Sequence, residues 1–376
     1  MSKRMLSLAI ASALAAGSLP AFAGVTVYKD DSGKYVKIGG RIQLQYHQTD
    51  EDFTGGVTED EVFFRRFRPY IEGSLHKDWL GKFQWDMGKA SGSNEVAVKD
   101  AYMQYKGFDG MKLTVGNAKT AFSREFLTSS KKQQLVERTF VGDHNYGSPD
   151  RSLGLHLSGT NSDKLTWGAT LASASIDPSS SKLDFDSPVN KDSDFNEGWI
   201  VGGRVDFHPF GVLKFSQGDF DGDTKATIGV GAFSWSNDDD LLEHAADIDT
   251  VTGFEISGAF RAAGFSVDAQ YNLFDAETVD STFTSGLYVN GETELENWAI
   301  EGGYMVMPKK LELVAGFSSQ DADGYATEWN RTELGANWFL HKHDIKVQFT
   351  YRMNEDKDGT PGNDEDEVFV QTQYVF

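Results

Sequence analysis

Residues 62–72 read Val-Phe-Phe-Arg-Arg-Phe-Arg-Pro-Tyr-Ile-Glu, with the guanidinium groups of Arg65, Arg66 and Arg68 packed into four positions. Further cations follow at Lys119, Arg124, Lys131, Lys132 and Arg138. Arg presents a planar fork that matches an oxyanion bidentately, and Lys a movable point charge. Spaced along a narrow passage, such groups bind an anion strongly enough to admit it and weakly enough to release it. Bond-making chemistry finds little support. Cys is absent, and the chain holds no Gly-rich phosphate loop, nucleotide fingerprint or triad-like pattern around its 8 His residues. His341 and His343 lie two apart beside a presumed turn and read as a wet turn rather than a metal site. The expectation is therefore neither enzyme nor cofactor nor metal.

Side chains can converge in this way only if a scaffold aims them, and the scaffold signal is a period of two. Ile38, Gly40, Ile42, Leu44 and Tyr46 oppose Arg41, Gln43 and Gln45. Leu165, Trp167, Ala169 and Leu171 oppose Thr166, Gly168 and Thr170; Phe265, Val267, Ala269 and Tyr271 oppose Ser266, Asp268 and Gln270. About sixteen such segments recur, each long enough (~9–11 residues) to cross a membrane as a tilted strand. Short breaks such as 307–310 and 341–343 alternate with long polar ones such as 177–197 and 275–293. The chain closes on an amphipathic strand, Val368, Val370, Thr372, Tyr374 and Phe376 on one parity. That ending is the form the barrel assembly machinery recognises. An all-β, transmembrane antiparallel barrel follows, with outer-membrane lipid and lipopolysaccharide as surroundings and small hydrophilic solutes or anions as cargo.

Alternation then assigns faces. Phe67, Ile71 and Leu75 fall toward lipid, which sends Phe64, Arg66, Arg68, Tyr70 and Glu72 inward. Arg65 takes the lipid parity, where a charge costs ~2–4 kcal/mol at the midplane, so it is expected near an interface or subunit contact. At 98–106, Asp100, Tyr102, Gln104 and Lys106 point inward. Arg41, Lys82, Asp86, Lys112 and Arg204 are further inward candidates.

The N-terminus and the composition agree with export. Lys3 and Arg4, the apolar stretch Met5–Leu19 and Ala21-Phe22-Ala23 form a secretory signal, giving a leader 1–23 and a barrel domain 24–376. The formal charge is −22, from 57 acidic and 35 basic residues, which excludes a nucleic-acid partner. The acid concentrates in runs at 50–52, 219–223, 238–243, 354–358 and 364–367, which suit hydrated loop tips that divalent cations can bridge.

The run at 62–68 also resembles the phosphate-selective porin O and P family, which carries an aromatic-Arg-Arg-x-Arg strand there. The likeness continues through Ile71-Glu72-Gly73, Lys77-Asp78-Trp79, Lys99–Tyr105, Leu113–Lys119, Leu127–Lys131, Glu137-Arg138 and Arg151–Gly154, about a quarter of the chain. It implies a sixteen-stranded homotrimeric porin with an inward-folded constriction loop, here about 120–148. It also implies cations that strip water from an entering phosphate. On that basis Arg66, Arg68, Lys119, Arg124, Lys131, Tyr70, Tyr102 and Asp100 are the expected pore-lining or solute-binding residues. One feature departs from the family. Acids at Glu72, Asp86, Asp100, Glu255 and Asp268 interleave with the cations, and acid in the wall weakens a positive field. Phosphate or polyphosphate, general diffusion, cation preference, and a scaffold or adhesin barrel all stay open at this level.

Overall fold

The computed structural model describes residues 24–51, 57–88, 96–190, 198–238 and 242–376. The expected leader 1–23 lies outside them, as do parts of the acidic runs at 50–52 and 238–243.

Sixteen antiparallel strands form one closed ring. They are Tyr35–Glu51, Val57–His76, Trp79–Asp86, Ala97–Tyr105, Met111–Lys119, Arg151–Thr160, Leu165–Ser173 and Gly198–Phe207, followed by Lys225–Asn237, Ile248–Ala262, Phe265–Thr278, Glu292–Met307, Leu311–Ala322, Trp329–His341, Ile345–Glu355 and Glu365–Val375. Every strand pairs with its sequence neighbours, and the last closes on the first, with Val375 opposite Arg41. Closure satisfies every ladder edge, the condition for β-structure in hydrocarbon. Two further bonds finish the seam, Gly40 N to Phe376 O at 2.9 Å and Phe376 N to Gly40 O at 3.0 Å. The Phe376 ring lies so close that a Cβ on Gly40 would meet it at 2.7 Å, which is why residue 40 is glycine. A short strand, Val25–Lys29, continues the seam by pairing with residues 35–38.

The apolar parity faces outward, as expected for a lipid-exposed wall. Ile38, Leu44, Ile71, Leu75, Val205, Ile228, Phe254 and Ile300 are all exposed, while their neighbours along the strands are turned in. Among the register shifts of the described strands, two β-bulges re-aim a cation. Opposite Gln43 and Leu44 the partners are Arg66 and Phe64, leaving Arg65 as an extra residue. Opposite Gln84 and Trp85 the partners are Asp100 and Val98, leaving Lys99 extra. A bulge adds one residue to its strand, so the side chains beyond it change faces. Phe64, expected inward, therefore faces out at 51 % exposure.

One rim of the barrel carries connections of two to five residues, with a single exception at 208–224; the other rim carries the long ones. The long segments do not all stand free in water. Residues 174–190 fold back into the barrel as a small hairpin, Ser175–Asp177 with Asp184–Asp186. Their Ile176, Leu183 and Phe185 join Phe122, Phe233, Trp235, Phe274, Leu287 and Tyr288 in one buried apolar cluster. Trp235 Nε1 donates to Ala174 O at 2.8 Å, and the Phe185 ring meets Phe233 edge-on at 5.6 Å. The acidic runs divide in the same way. Asp219 is buried on the short-connection rim, and Glu367 lies within a strand facing Arg352, so neither sits on a hydrated tip.

Phe185 is fully buried, and removing such a ring costs ~3–5 kcal/mol. Lys182 is exposed but the next residue, Leu183, is fully buried, so Phe185→Ala is expected to loosen this segment and speed trypsin cleavage after Lys182 in the folded barrel, while the barrel keeps its heat-modifiable mobility in detergent gels. Unchanged cleavage at Lys182 would show that the cluster does not hold this segment.

Candidate functional site: an eccentric, cation-lined lumen

The segment between the strands ending at Lys119 and beginning at Arg151 folds into the barrel, as the expected inward loop does. It opens with a one-turn helix, Arg124–Leu127, capped by Ser123, whose Oγ accepts from Phe126 N at 3.1 Å. Backbone placed inside a barrel needs partners, and the wall supplies them, chiefly from the amide side chains of Gln and Asn. Gln373 Nε2 donates to Lys131 O at 3.0 Å, Gln348 Nε2 to Gln134 O at 3.0 Å and Asn337 Nδ2 to Gln134 O at 2.9 Å. Lys346 Nζ donates to Gln133 O at 2.7 Å, and Gln270 and Asn272 both donate to Val141 O at 3.0 Å. On the same wall Thr350 Oγ1 accepts from Val136 N at 3.2 Å. The loop is thus pressed against the wall made by the later strands.

That docking disposes of the acids that looked troublesome in the sequence. Glu255 is fully buried behind the loop, accepting from Arg124 N at 3.1 Å and pairing with Arg204. Asp268 accepts from Arg124 Nε at 3.2 Å and Arg261 Nη2 at 2.5 Å. Glu312 accepts from Gln134 and Asn337, and Glu333 pairs with Arg352 at 3.0 Å. None of these four carboxylates lines the open lumen.

What stays open is a cavity of about 1220 Å³ displaced toward the earlier strands, 35 through 207. Its lining holds fourteen Lys or Arg residues against seven Asp or Glu residues. A chain of net charge −22 therefore carries an excess of seven positive charges around its lumen. Half of the cations are held by the acids. Arg68 meets Asp86 at 2.5 Å, Lys82 meets Asp100 at 2.6 Å, and Arg151 bridges Asp100 at 2.8 Å and Asp150 at 3.1 Å. Both bulged cations join this set. Lys99 lies 3.6 Å from Asp150, and Arg65 makes a two-bonded fork on Glu137 of the loop at 2.7 and 3.0 Å. The expectation that Arg65 seeks an interface is corrected here: the bulge lets it avoid lipid by turning inward.

The expected site residues divide three ways. Arg66, Arg68, Tyr70, Asp100, Tyr102 and Lys131 all line the lumen, as do Arg41, Lys82, Asp86, Lys112 and Arg204. Lys119 and Arg138 line it too, but their ends are committed to the loop. Lys119 Nζ donates to the carbonyls of Phe126 and Leu127, and Arg138 Nη2 to those of Phe126 and Thr128 at 3.3 and 3.1 Å. Arg124 is placed differently. It is 2 % exposed, lies behind the loop and ties it to the far wall, so it does not line the open passage. His343 is buried with Nε2 2.9 Å from Gln217 O, apart from the exposed His341. Lys99, Glu137, Asp150, Arg151 and Lys214 were not singled out by parity. Lys99 hides behind a bulge, and the others lie in or beside the long connections, where alternation gives no face.

Glu137 is the pivot between loop and wall. Burial opposes its ionisation, but the charges of Arg65 and then Arg66 outweigh that and hold its carboxyl down at about 2. The latch therefore stays ionised through the acid range and is lost only as the pH falls toward that value. Glu137→Gln is expected to free Arg65 and Arg66, raising the anion-to-cation permeability ratio severalfold and the open-channel noise. An unchanged reversal potential and quiet current would rule out the latch.

Comparison with known proteins places the chain. No curated protein matches it. The fold matches the outer-membrane channel DcaP of Acinetobacter baumannii, with a TM-score of 0.61 at 12% identity, covering 94% of this chain and 100% of that one. It matches the trimer form of OmpT of Vibrio cholerae with a TM-score of 0.56 at 12% identity, over 91% and 99% of the two chains. An anion-selective porin from Comamonas acidovorans gives 0.58 at 11% identity, over 91% and 100%. Residues 36–198 match the family model described as phosphate-selective porin O and P, the part of the chain that supplies most of the lining of the open lumen. The chain thus has the sixteen-stranded fold of outer-membrane channels and porins, and its first seven strands carry the signature of the porin O and P family.

Proposed function

We propose that this porin is an anion-preferring diffusion channel for small oxyanions such as phosphate, working by transport and not catalysis. The observation that carries the reading is the twofold excess of cations over acids around the lumen of an otherwise acidic chain. The paired arginines form a fixed track, since each acid holds its partner's fork in place and leaves further N–H groups for a passing anion. The unpaired cations carry the net field. Among the described residues Arg41 hydrogen-bonds through its side chain only to Ser129 Oγ, at 3.4 Å, and Lys131 makes no ion pair. Arg66 and Arg68 are the proposed solute contacts in the wall, with Tyr70 and Tyr102 beside them.

Assembly as a homotrimer belongs to the same proposal. The wall is low at Trp79–Asp86, Ala97–Tyr105 and Met111–Lys119, strands of 8, 9 and 9 residues, against 13 to 16 in the four strands between Lys225 and Met307. A low wall with Trp79, Phe83 and Met103 exposed is suited to burial against neighbouring copies. A monomeric mass in mild detergent would refute this. Export with cleavage after Ala23, and insertion through the Phe376 strand, complete the picture.

The primary test is the reversal potential in a planar bilayer under a KCl gradient, repeated with added phosphate. Anion selectivity that phosphate blocks, with the block relieved in Arg66→Ala and Arg68→Ala, is expected; a cation-selective current indifferent to phosphate would end the anion reading. Lys131 adds a pH signature. Burial, then the neighbouring Arg41 charge, brings its ammonium down to about 8. Its positive charge is present below that pH and lost above it, so anion selectivity is expected to fall between about pH 7 and 9. Lys131→Arg, which stays charged, is expected to flatten that dependence.

A further inference from the structure

Matching the charges behind the inward loop leaves two acids over. Asp268 is met by Arg124 and Arg261, Glu255 by Arg204, and Glu333 by Arg352 at 3.0 Å. Glu125 of the loop and Glu301 of the strand Glu292–Met307 make no ion pair among the described residues, although each is only 5 % exposed. Their partners are neutral. Glu125 accepts from Thr139 Oγ1 at 2.6 Å, Thr139 N at 3.1 Å and Gln133 Nε2 at 3.3 Å, and Glu301 accepts from Gln217 Nε2.

Both carboxyls line one small cavity of about 10 Å³ behind the helix Arg124–Leu127, which is room for a single water. Arg124 lines it too, and its Nη1 and Nη2 are buried with no hydrogen-bond partner in the protein. A water there can accept from that guanidinium and bridge the two acids. The surrounding charges do not neutralise the pair. On the loop, Arg124 turns to Asp268, and Arg138 donates to the carbonyls of Phe126 and Thr128. The wall adds the acids Asp268 and Glu333, and the turn 208–224 adds the neutral Gln217. Two carboxyls gathered away from water, with no cation of their own, are stable only while they hold a proton. Burial accordingly pushes the Glu125 carboxyl up to about 7, against the Thr139 hydrogen bonds and the Arg138 charge.

The same helix separates this cavity from the passage. Arg124 and Glu125 line the cavity, whereas Phe126 and Leu127 line the open lumen, with Lys119 Nζ on their carbonyls. A helix driven away from Glu301 carries Phe126 and Leu127 into the passage. We infer that Glu125 and Glu301 form a proton-sharing clasp between the inward loop and the wall, and that deprotonation of the clasp moves the loop helix toward the lumen and narrows the channel. The sign follows from the raised carboxyl. Docking is at full strength while Glu125 is protonated and weakens as the pH rises through about 7, when two like charges face each other across one water. The clasp acts on the width of the passage and not on its field, so it stands apart from the anion reading.

The test is single-channel conductance in planar bilayers at high KCl, where surface charge is screened, taken from about pH 6 to about pH 9. Wild-type conductance is expected to step down with its midpoint at about 7. Glu125→Gln and Glu301→Gln keep the shape of the pair without the charge, and each is expected to hold the wide level throughout. Lys131→Arg is expected to keep the step, which separates the clasp from the titration of that ammonium. The infrared carbonyl band of a protonated carboxyl is expected to disappear from the folded wild-type protein over the same range. A conductance independent of pH, or a step that survives in both Gln variants, would overturn the proposal. Should those variants fail to insert, an infrared band unchanged across the range would overturn it equally.

Discussion

The organisation of this barrel depends on how a polar loop backbone is satisfied inside it. A wide lumen could leave the segment 120–150 floating in water, but here its carbonyls are taken one after another by amide groups of Gln348, Gln373, Asn337, Gln270 and Asn272. These donors are neutral, so they fix the loop without adding to the field of the pore. Buried hydrogen bonds of this kind contribute modestly in sum and cost heavily if one partner is lost. The loop therefore has one resting place, and everything else follows from where that place is.

Docking on the later strands gives the two halves of the lumen opposite fates. Behind the loop, Glu255, Asp268, Glu312 and Glu333 are closed off with Arg204, Arg124, Arg261, Arg352 or amide partners. Charges buried in that way contribute little outside field, because each is matched at close range. Above them, the fold-back of 174–190 fills the remaining space with an apolar cluster typical of a soluble protein. In front of the loop, wall and loop offer more cations than acids. An acidic protein can thus enclose a positive passage, since the sign that matters belongs to the few side chains a solute meets and not to the chain as a whole.

Lipid sets the second constraint. A charge on the outer face is costly, and two positions in the alternating pattern would have put one there. At Arg65 and Lys99 the chain inserts an extra residue and turns both cations inward. Each then finds a carboxylate, Glu137 for Arg65 and Asp150 for Lys99. The bulges thus remove a penalty and also enrich the lumen in charge.

Much of this was legible in the sequence, for a definite reason. Strand periodicity, the closing Phe376 and the family run at 62–68 are local patterns, and a barrel wall is a local structure in which each strand needs only its neighbours. That determined the all-β barrel, the approximate strand count, and the inward placement of Arg66, Arg68, Tyr70, Asp100 and Tyr102. Alternation failed wherever backbone geometry departs from it. The bulge at Arg65 reversed the side of Phe64, and the connections carrying Arg124, Glu137, Asp150 and Lys214 have no period to read. Whether a given charge faces solute or is cancelled behind the loop depends on contacts across the lumen, between residues such as Arg124 and Asp268 or Gln134 and Glu312, more than a hundred positions apart. Those pairings are made by the closure of the ring and the docking of the loop, so only the tertiary structure could decide the sign of the passage.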